Sequence, residues 1–210
     1  MTIIDEIKAG VLDGDAKAVD RLVPQALQAG ISAESLLKEA LIPAMGEVGA
    51  RFESGDYYVP EMLISARAMK VGLEHLRPLL VAQDVKPAGK IVVGTVKGDL
   101  HDIGKNLVAI MMEGAGFQVI DLGVDVTPER FIQAIRENEA DLVGLSALLT
   151  TTMTNMKSTI EAIKAAGLYD QVKVIIGGAP VSQEFADQIG AHGFAPDASA
   201  AATLAARLIA

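Results

Sequence analysis

At 210 residues, half of them hydrophobic, the chain can form one large domain or two small ones with a real core. A net charge of −9 with no tryptophan argues against general nucleic-acid binding, which needs clustered lysine and arginine to meet phosphates. Cysteine is absent, which excludes disulfides, thiolate zinc sites and iron–sulfur clusters, and no apolar run approaches the ~20 residues of a membrane span. The amino terminus lacks the basic start and apolar stretch of a signal peptide, so a cytoplasmic protein is expected, with no membrane and no nucleic-acid partner.

The N-terminal part reads as helices. Ile3, Ile4, Ile7, Val11 and Leu12 share a face at helical spacing, and Asp13-Gly14-Asp15 ends that helix. Val19, Leu22, Val23, Ala26 and Leu27 make a second stripe, closed by Gly30. Ser32 can cap a third helix carrying Leu36, Leu37, Ala40, Leu41, Met45 and Val48, with a kink or break predicted at Pro43. After a turn at Gly55-Asp56, a fourth helix runs from about Pro60 through Met62, Leu63, Ala66, Met69 and Leu73 to Leu76. Four amphipathic helices with short connections suggest a small antiparallel bundle.

The texture then changes. The polar run 82–89, with Pro87 and Gly89, reads as a linker, and the domains expected are 1–86 and 87–210. Beyond it, β-rich runs alternate with helical patterns. Strands are predicted at 91–96, 118–122, 142–146, 172–176 and 193–195. Helices are predicted at 103–114, 128–138, 152–166, 182–189 and 197–209. The fold class is therefore α/β: an N-terminal four-helix bundle, then a Rossmann- or flavodoxin-like five-stranded parallel sheet with helices on both faces.

The carboxyl edge of such a sheet gathers ligand-binding loops. After the first strand comes Gly98-Asp99-Leu100-His101-Asp102-Ile103-Gly104. A carboxylate two residues from an imidazole can fix its tautomer, so His101 reads as a metal ligand or a base, or else Asp99 is only a helix cap and His101 a surface residue. The loops after the other strands hold Ser146 to Thr152, Gly177-Gly178 and Pro196 to Ser199. They are small, hydroxylated or glycine, and leave a trough lined by backbone and hydroxyl donors. Neither a Walker loop nor a Gly-x-Gly-x-x-Gly turn follows the first strand, so the case for a nucleotide is weak.

Asp99-x-His101-x-x-Gly104, followed after 41 residues by Ser146-x-Leu148 and after 28 more by Gly177-Gly178, resembles the signature of proteins that bind cobalamin base-off with a histidine below cobalt. The runs Thr95 to Asn106 and Asp121 to Val124 are similar to the cobalamin module of methionine synthase and of methyltransferase corrinoid proteins. Met45 to Gly49 and Tyr57 to Met62 resemble the helical cap that precedes it there. The resemblance implies His101 as the cobalt ligand and Asp99 as its hydrogen-bond acceptor. Thr152 stands at the relay position that holds serine in the family, keeping the hydroxyl on a stiffer β-branched side chain. It further implies that Gly98, Asp102, Ile103 and Gly104 border the cofactor, and that Ser146, Leu148, Thr150, Gly177, Gly178 and Ala198 line a slot for the displaced dimethylbenzimidazole tail. Met45, Tyr58, Val59 and Met62 are the candidates for a lid over cobalt's upper face, or else bundle core.

The expected function is that of a corrinoid methyl carrier, not catalytic alone, that accepts a methyl group on cob(I)alamin and yields it from methylcobalamin. Its implied partners are a substrate-specific methyltransferase, a second methyltransferase serving tetrahydrofolate or coenzyme M, and a reductive reactivation protein. Alternatives are the cobalamin subunit of an adenosylcobalamin mutase, a B12-dependent sensor, or a flavodoxin-like or response-regulator module without cobalamin.

Overall fold

In the computed structural model, which describes residues 2–210, the chain divides into two compact units. One holds the chain up to Pro87 together with Gly114–Gly116, and the other holds the remainder.

The first unit is helical. Thr2 and Asp5 form a reciprocal cap for α1 (Ile3–Leu12), and the Asp15 carboxylate accepts the Ala18 N–H to start α2 (Ala16–Gln28). Ser32 caps α3 (Ala33–Ser35), which winds without a break through a π-helical stretch, Leu36–Leu41, into α4 (Ile42–Ser54). The break expected at Pro43 is therefore absent. Pro43, which cannot donate, directly follows the π-helical stretch, where the Ile42 N–H reaches back five residues to the Leu37 carbonyl. Gly55, with φ of +80°, ends α4. α5 (Val59–Ala82) runs past the Leu76 expected as its end: Pro78 is exposed and forfeits one bond, while buried Leu80 holds the extra turn down. Ile7, Val11, Val19, Leu22, Leu36, Leu41, Val48, Met69 and Leu76 are fully or almost fully buried.

The second unit is a parallel sheet of β1 (Lys90–Thr95), β2 (Gln118–Asp121), β3 (Leu142–Ser146), β4 (Lys173–Gly177) and β5 (Gly193–Phe194), in the order β2-β1-β3-β4-β5. The intervening helices are α6 (Ile103–Gly114), α7 (Pro128–Asn138), α8 (Thr154–Ala165) and α9 (Gln183–Ile189), and α10 (Ala198–Ile209) follows β5. The strand order reverses between β1 and β3, so the loops after these two strands flank the crevice where such sheets take ligands. Register aligns Thr95, Ser146 and Gly177 in one row at the carboxyl ends. Val92, Val143, Leu145, Val174 and Ile176 pack with Phe131, Met156, Ile160 and Ile163 of the covering helices.

Gly94 lets α7 dock on β1, because a Cβ there would lie 2.7 Å from the Phe131 ring. We expect Gly94→Ala to cost about 1–3 kcal/mol in urea unfolding, the usual penalty for overpacking. Adding Phe131→Leu should leave the double variant more stable than the sum of the two single losses; simple additivity would refute this packing account.

Candidate functional site

The loop after β1 turns through Gly98, whose φ is +81°, and drives the Asp99 side chain into the protein. Asp99 has no exposed surface, yet its carboxylate is fully occupied. Oδ1 accepts the His101 N–H at 3.1 Å and lies 2.7 Å from His101 Nδ1. Oδ2 accepts the N–H groups of Leu148 and Leu149, at 2.8 and 3.3 Å, and the Thr152 hydroxyl at 2.5 Å. Thr152 Oγ1 also lies 3.0 Å from the Leu149 carbonyl, but a hydroxyl has one proton and the carboxylate is the stronger, closer acceptor. Thr152, Asp99 and His101 thus form one hydrogen-bonded chain running from the loop after β3 to the loop after β1.

Burial pushes the Asp99 carboxyl upward, but the bonds from Thr152, from the Leu148 N–H and from the His101 ring and N–H outweigh it. The net effect holds the group well below the usual carboxylate range. An ionised Asp99 can only accept, so the shared proton sits on His101 Nδ1. The neutral ring then carries its free lone pair on Nε2, the atom that no hydrogen bond engages among the described residues. The His101 side chain is 49% exposed. Such a ring is set up as a ligand or proton acceptor facing outward.

Around it the surface is unusually apolar for so acidic a chain. Leu100 is 70% and Ile103 77% exposed, and Leu148 and Leu149 are exposed beside the Asp99 bonds. Gly98, Asp102 and Gly104 are exposed too. Nothing lies within 4 Å of where a Gly104 or Gly123 Cβ would stand, which leaves open space along this rim. A contiguous exposed apolar rim around a polar centre marks a binding surface.

The other residues singled out from the sequence are distributed unevenly. Ser146 and Gly177 are half-buried neighbours in the carboxyl-end row of the sheet. Gly178 is required by the chain itself: φ is +132°, and a Cβ would fall 1.9 Å from the Ala147 carbonyl oxygen. Thr150 is exposed, and no hydrogen bond ties its side chain to the cluster among the described residues. Ala198 is buried at the start of α10, on the β5 side of the sheet, two strands away from β3. In the helical unit, Tyr58 and Val59 are exposed, whereas Met45 and Met62 are fully buried, with side chains given over to packing.

Several residues at this edge escape a motif reading. The Leu148 and Leu149 bonds come from backbone, which carries no residue-type signal. Asp125 accepts the Gly98 N–H at 2.7 Å, and the Asn155 amide donates to the Lys97 carbonyl at 2.8 Å. Asn155 follows Thr152 by three residues, one helical turn, and that spacing was its only available cue. Almost fully buried Lys105 bonds the Asp121 carboxylate at 2.5 Å and the Asn106 side chain at 2.6 Å, tying α6 to the end of β2.

Removing the Thr152 hydroxyl leaves the buried carboxylate one donor short. Thr152→Val should lose about 1–3 kcal/mol in apo-protein unfolding at neutral pH, while Thr152→Ser stays within about 1. Because the folded-state pKa of Asp99 is depressed, its contribution is complete above the unfolded value near 3.9 and fades as pH falls below it. The gap between wild type and Thr152→Val should therefore narrow below about pH 4, and a gap that widened there would contradict an ionised Asp99.

Comparison with known protein families gives a consistent picture. A B12 binding domain model matches residues 89–205, and a second B12 binding domain model matches residues 3–77. A corrinoid protein of Desulfitobacterium hafniense (strain Y51) is 41% identical over 212 residues, covering 100% of this chain and 98% of the relative. Trimethylamine corrinoid protein 1 of Methanosarcina acetivorans is 41% identical over 191 residues, covering 90% of this chain and 88% of the relative. The crystal structure of the methanol:cobalamin methyltransferase complex MtaBC from Methanosarcina barkeri aligns with a TM-score of 0.86 at 29% identity, over 99% of this chain and 79% of that one.

Proposed function

We propose that this chain, which belongs to the B12-binding corrinoid proteins, carries methyl groups between methyltransferases on a cobalamin held base-off, with His101 as the lower axial ligand. Cobalamin binding itself follows from the family, and it removes the reading as a cobalamin-free flavodoxin-like module. The observation that carries the finer reading is the Thr152–Asp99–His101 chain, which fixes the Nδ1–H tautomer and leaves Nε2 free on a half-exposed ring. Metal-bound imidazoles are commonly backed in this way by a carboxylate.

The residues present fit a corrinoid. No cluster of three or more His, Asp or Glu side chains suited to a metal ion occurs among the described residues. One histidine does not retain a bare ion, so the metal must come with its own equatorial ligands, as cobalt does in a corrin ring. Leu100, Ile103, Leu148 and Leu149 offer the apolar border that a macrocycle needs around the histidine. For the tail slot, Ser146 and Gly177 stand in the carboxyl-end row with Leu148 and Thr150 in the loop beyond, whereas buried Ala198 has little surface to contribute. Of the cap candidates, Tyr58 and Val59 have surface to offer a ligand, and Met45 and Met62 support the bundle from within.

Bound cobalamin supplies a cobalt centre that takes up a methyl group when fully reduced and gives it up to an acceptor. This chain's own residues set the basicity of the ring below it. Asp99 holds the Nδ1 proton in place, and Thr152 keeps Asp99 ionised. With the proton fixed on Nδ1, Nε2 is the atom that His101 would offer to cobalt, and the bonds to Asp99 hold the ring in place for it.

On this reading the chain is a carrier: its described residues form a helical unit and one open parallel sheet, and the methyl donor and acceptor are handled by its partners. Its partners are a methyltransferase specific for the methyl donor, a second one using tetrahydrofolate or coenzyme M, and a reductive reactivation protein. The relatives named for trimethylamine, and the methanol methyltransferase complex, support a methyltransferase partner.

The axial ligand can be tested directly. Protein labelled with nitrogen-15 histidine and loaded with cob(II)alamin should show the doublet nitrogen splitting of nitrogen-15 in its cobalt electron paramagnetic resonance spectrum. His101→Ala should abolish it. A triplet from the unlabelled tail base, or a doublet that survives in His101→Ala, would overturn the assignment.

A further inference from the structure

We propose that Asp125, in the loop after β2, is a positioning residue for His101, acting through the backbone of the Gly98–Asp99 turn. The inference rests on His101 being the cobalt ligand. Among the described residues the His101 ring has one polar restraint, its Nδ1 bond to Asp99, so the place of Nε2 is set by where the turn holds these two residues. Asp125 grips that turn twice. Its carboxylate accepts the Gly98 N–H at 2.7 Å, and its own N–H donates to the Asp99 carbonyl at 3.0 Å.

Both bonds depend on an unusual backbone. Asp125 has φ of +53°, the left-handed region that most side chains avoid and that aspartate and asparagine tolerate better. That conformation is fixed from either side. The Gly123 N–H donates to the Asp121 carboxylate at 2.8 Å, and the Gly123 carbonyl accepts the Thr95 N–H at 3.0 Å. Val126 donates to the Thr95 carbonyl at 2.9 Å and bridges to Val96 in parallel register. The loop after β2 is therefore laced to the end of β1, and Asp125 is where it reaches the histidine turn.

The bond to the carboxylate oxygen lies at the surface, where water could replace it if nothing else depended on its geometry. No hydrogen bond joins Asp125 to the His101 ring among the described residues, so an effect on metal ligation has to pass through Gly98 and Asp99. Asn155 holds the Lys97 carbonyl from the opposite side, which leaves the Asp125 carboxylate as the side-chain restraint on Gly98 itself. A side chain that must meet a metal in a fixed geometry needs a backbone held in place.

Two substitutions separate the parts. Asp125→Gly keeps the left-handed backbone, since glycine is at home there, and removes the acceptor. Asp125→Asn keeps an acceptor oxygen and the backbone preference while removing the charge. Both would be loaded with methylcobalamin beside wild type and His101→Ala, and the amide exchange of Gly98 followed in the apo proteins. In Asp125→Gly, Gly98 should exchange at least tenfold faster. Methylcobalamin should bind about tenfold more weakly, as usual for a lost supporting bond behind a metal ligand. Part of its red, nitrogen-ligated band should move to the shorter-wavelength band of His101→Ala. Asp125→Asn should restore all three readings.

A wild-type spectrum in Asp125→Gly overturns the proposal, even with faster Gly98 exchange, because the bond would then be structural only. Asp125→Asn behaving like Asp125→Gly overturns it too, by assigning the effect to charge. If His101→Ala keeps the wild-type band, the ligand assignment itself fails and this role falls with it, a result distinct from both others.

Discussion

One buried carboxylate organises the binding edge of this protein. Asp99 has no exposed surface and accepts from two backbone N–H groups of the loop after β3, from its own loop, from a hydroxyl and from an imidazole. Burying a charge is costly unless every lone pair is met, and here the bonds that meet them also join the two loops on either side of the crevice. The same bonds that keep Asp99 ionised dictate which nitrogen of His101 bears the proton. Fold stability and ligand chemistry at this edge therefore share one set of contacts.

Topology makes this economical. In the order β2-β1-β3-β4-β5, β1 lies between β2 and β3, so the histidine turn can be held from both sides. The loop after β3 takes the Asp99 side chain. The loop after β2, through Asp125, takes the backbone of Gly98 and Asp99. Lys105 reinforces the β2 side by linking α6 to Asp121, whose other oxygen receives the Gly123 N–H. The residues that contact metal or corrin on our reading are few, while those fixing the contacting turn come from three strands' ends and two helices.

Glycine plays two separate parts here. Gly98 and Gly123 turn the chain in left-handed conformations, Gly98 against Thr152 and Asn155 and Gly123 beside open space. Gly178 instead lets the end of β4 cross the Ala147 carbonyl, and Gly94 admits Phe131 of α7. A Gly-Gly pair in the signature is thus explained at least half by the protein's own packing. The apolar side chains at the rim are the reverse case: among the described residues Leu100 and Ile103 stay exposed, which is consistent with the proposed cofactor-binding edge.

Much of this was legible in the residues. Period and punctuation placed α6, α7 and β3 at the bounds observed, because glycine, proline and asparagine end those elements locally. The resemblance to cobalamin-binding proteins also grouped Asp99, His101 and Thr152 as one set. Where long-range packing decides, the sequence was less informative. The π-helical stretch before Pro43, the extension of α5 to Ala82 and the start of α8 at Thr154 all answer to tertiary contacts. Thr152 stays in the turn before α8, its hydroxyl engaged by Asp99. The sequence by itself determined the strand–helix alternation, the acidic and cysteine-free character, and the Asp99-x-His101 pair at the end of the first strand, because these follow from residue type and local spacing. Only the tertiary structure decided that Asp99 is buried with its carboxyl held well below the usual range, that Nε2 is free of hydrogen bonds among the described residues, and that Asp125 and backbone N–H groups hold the turn. Those properties arise from atoms brought together from distant positions in the chain.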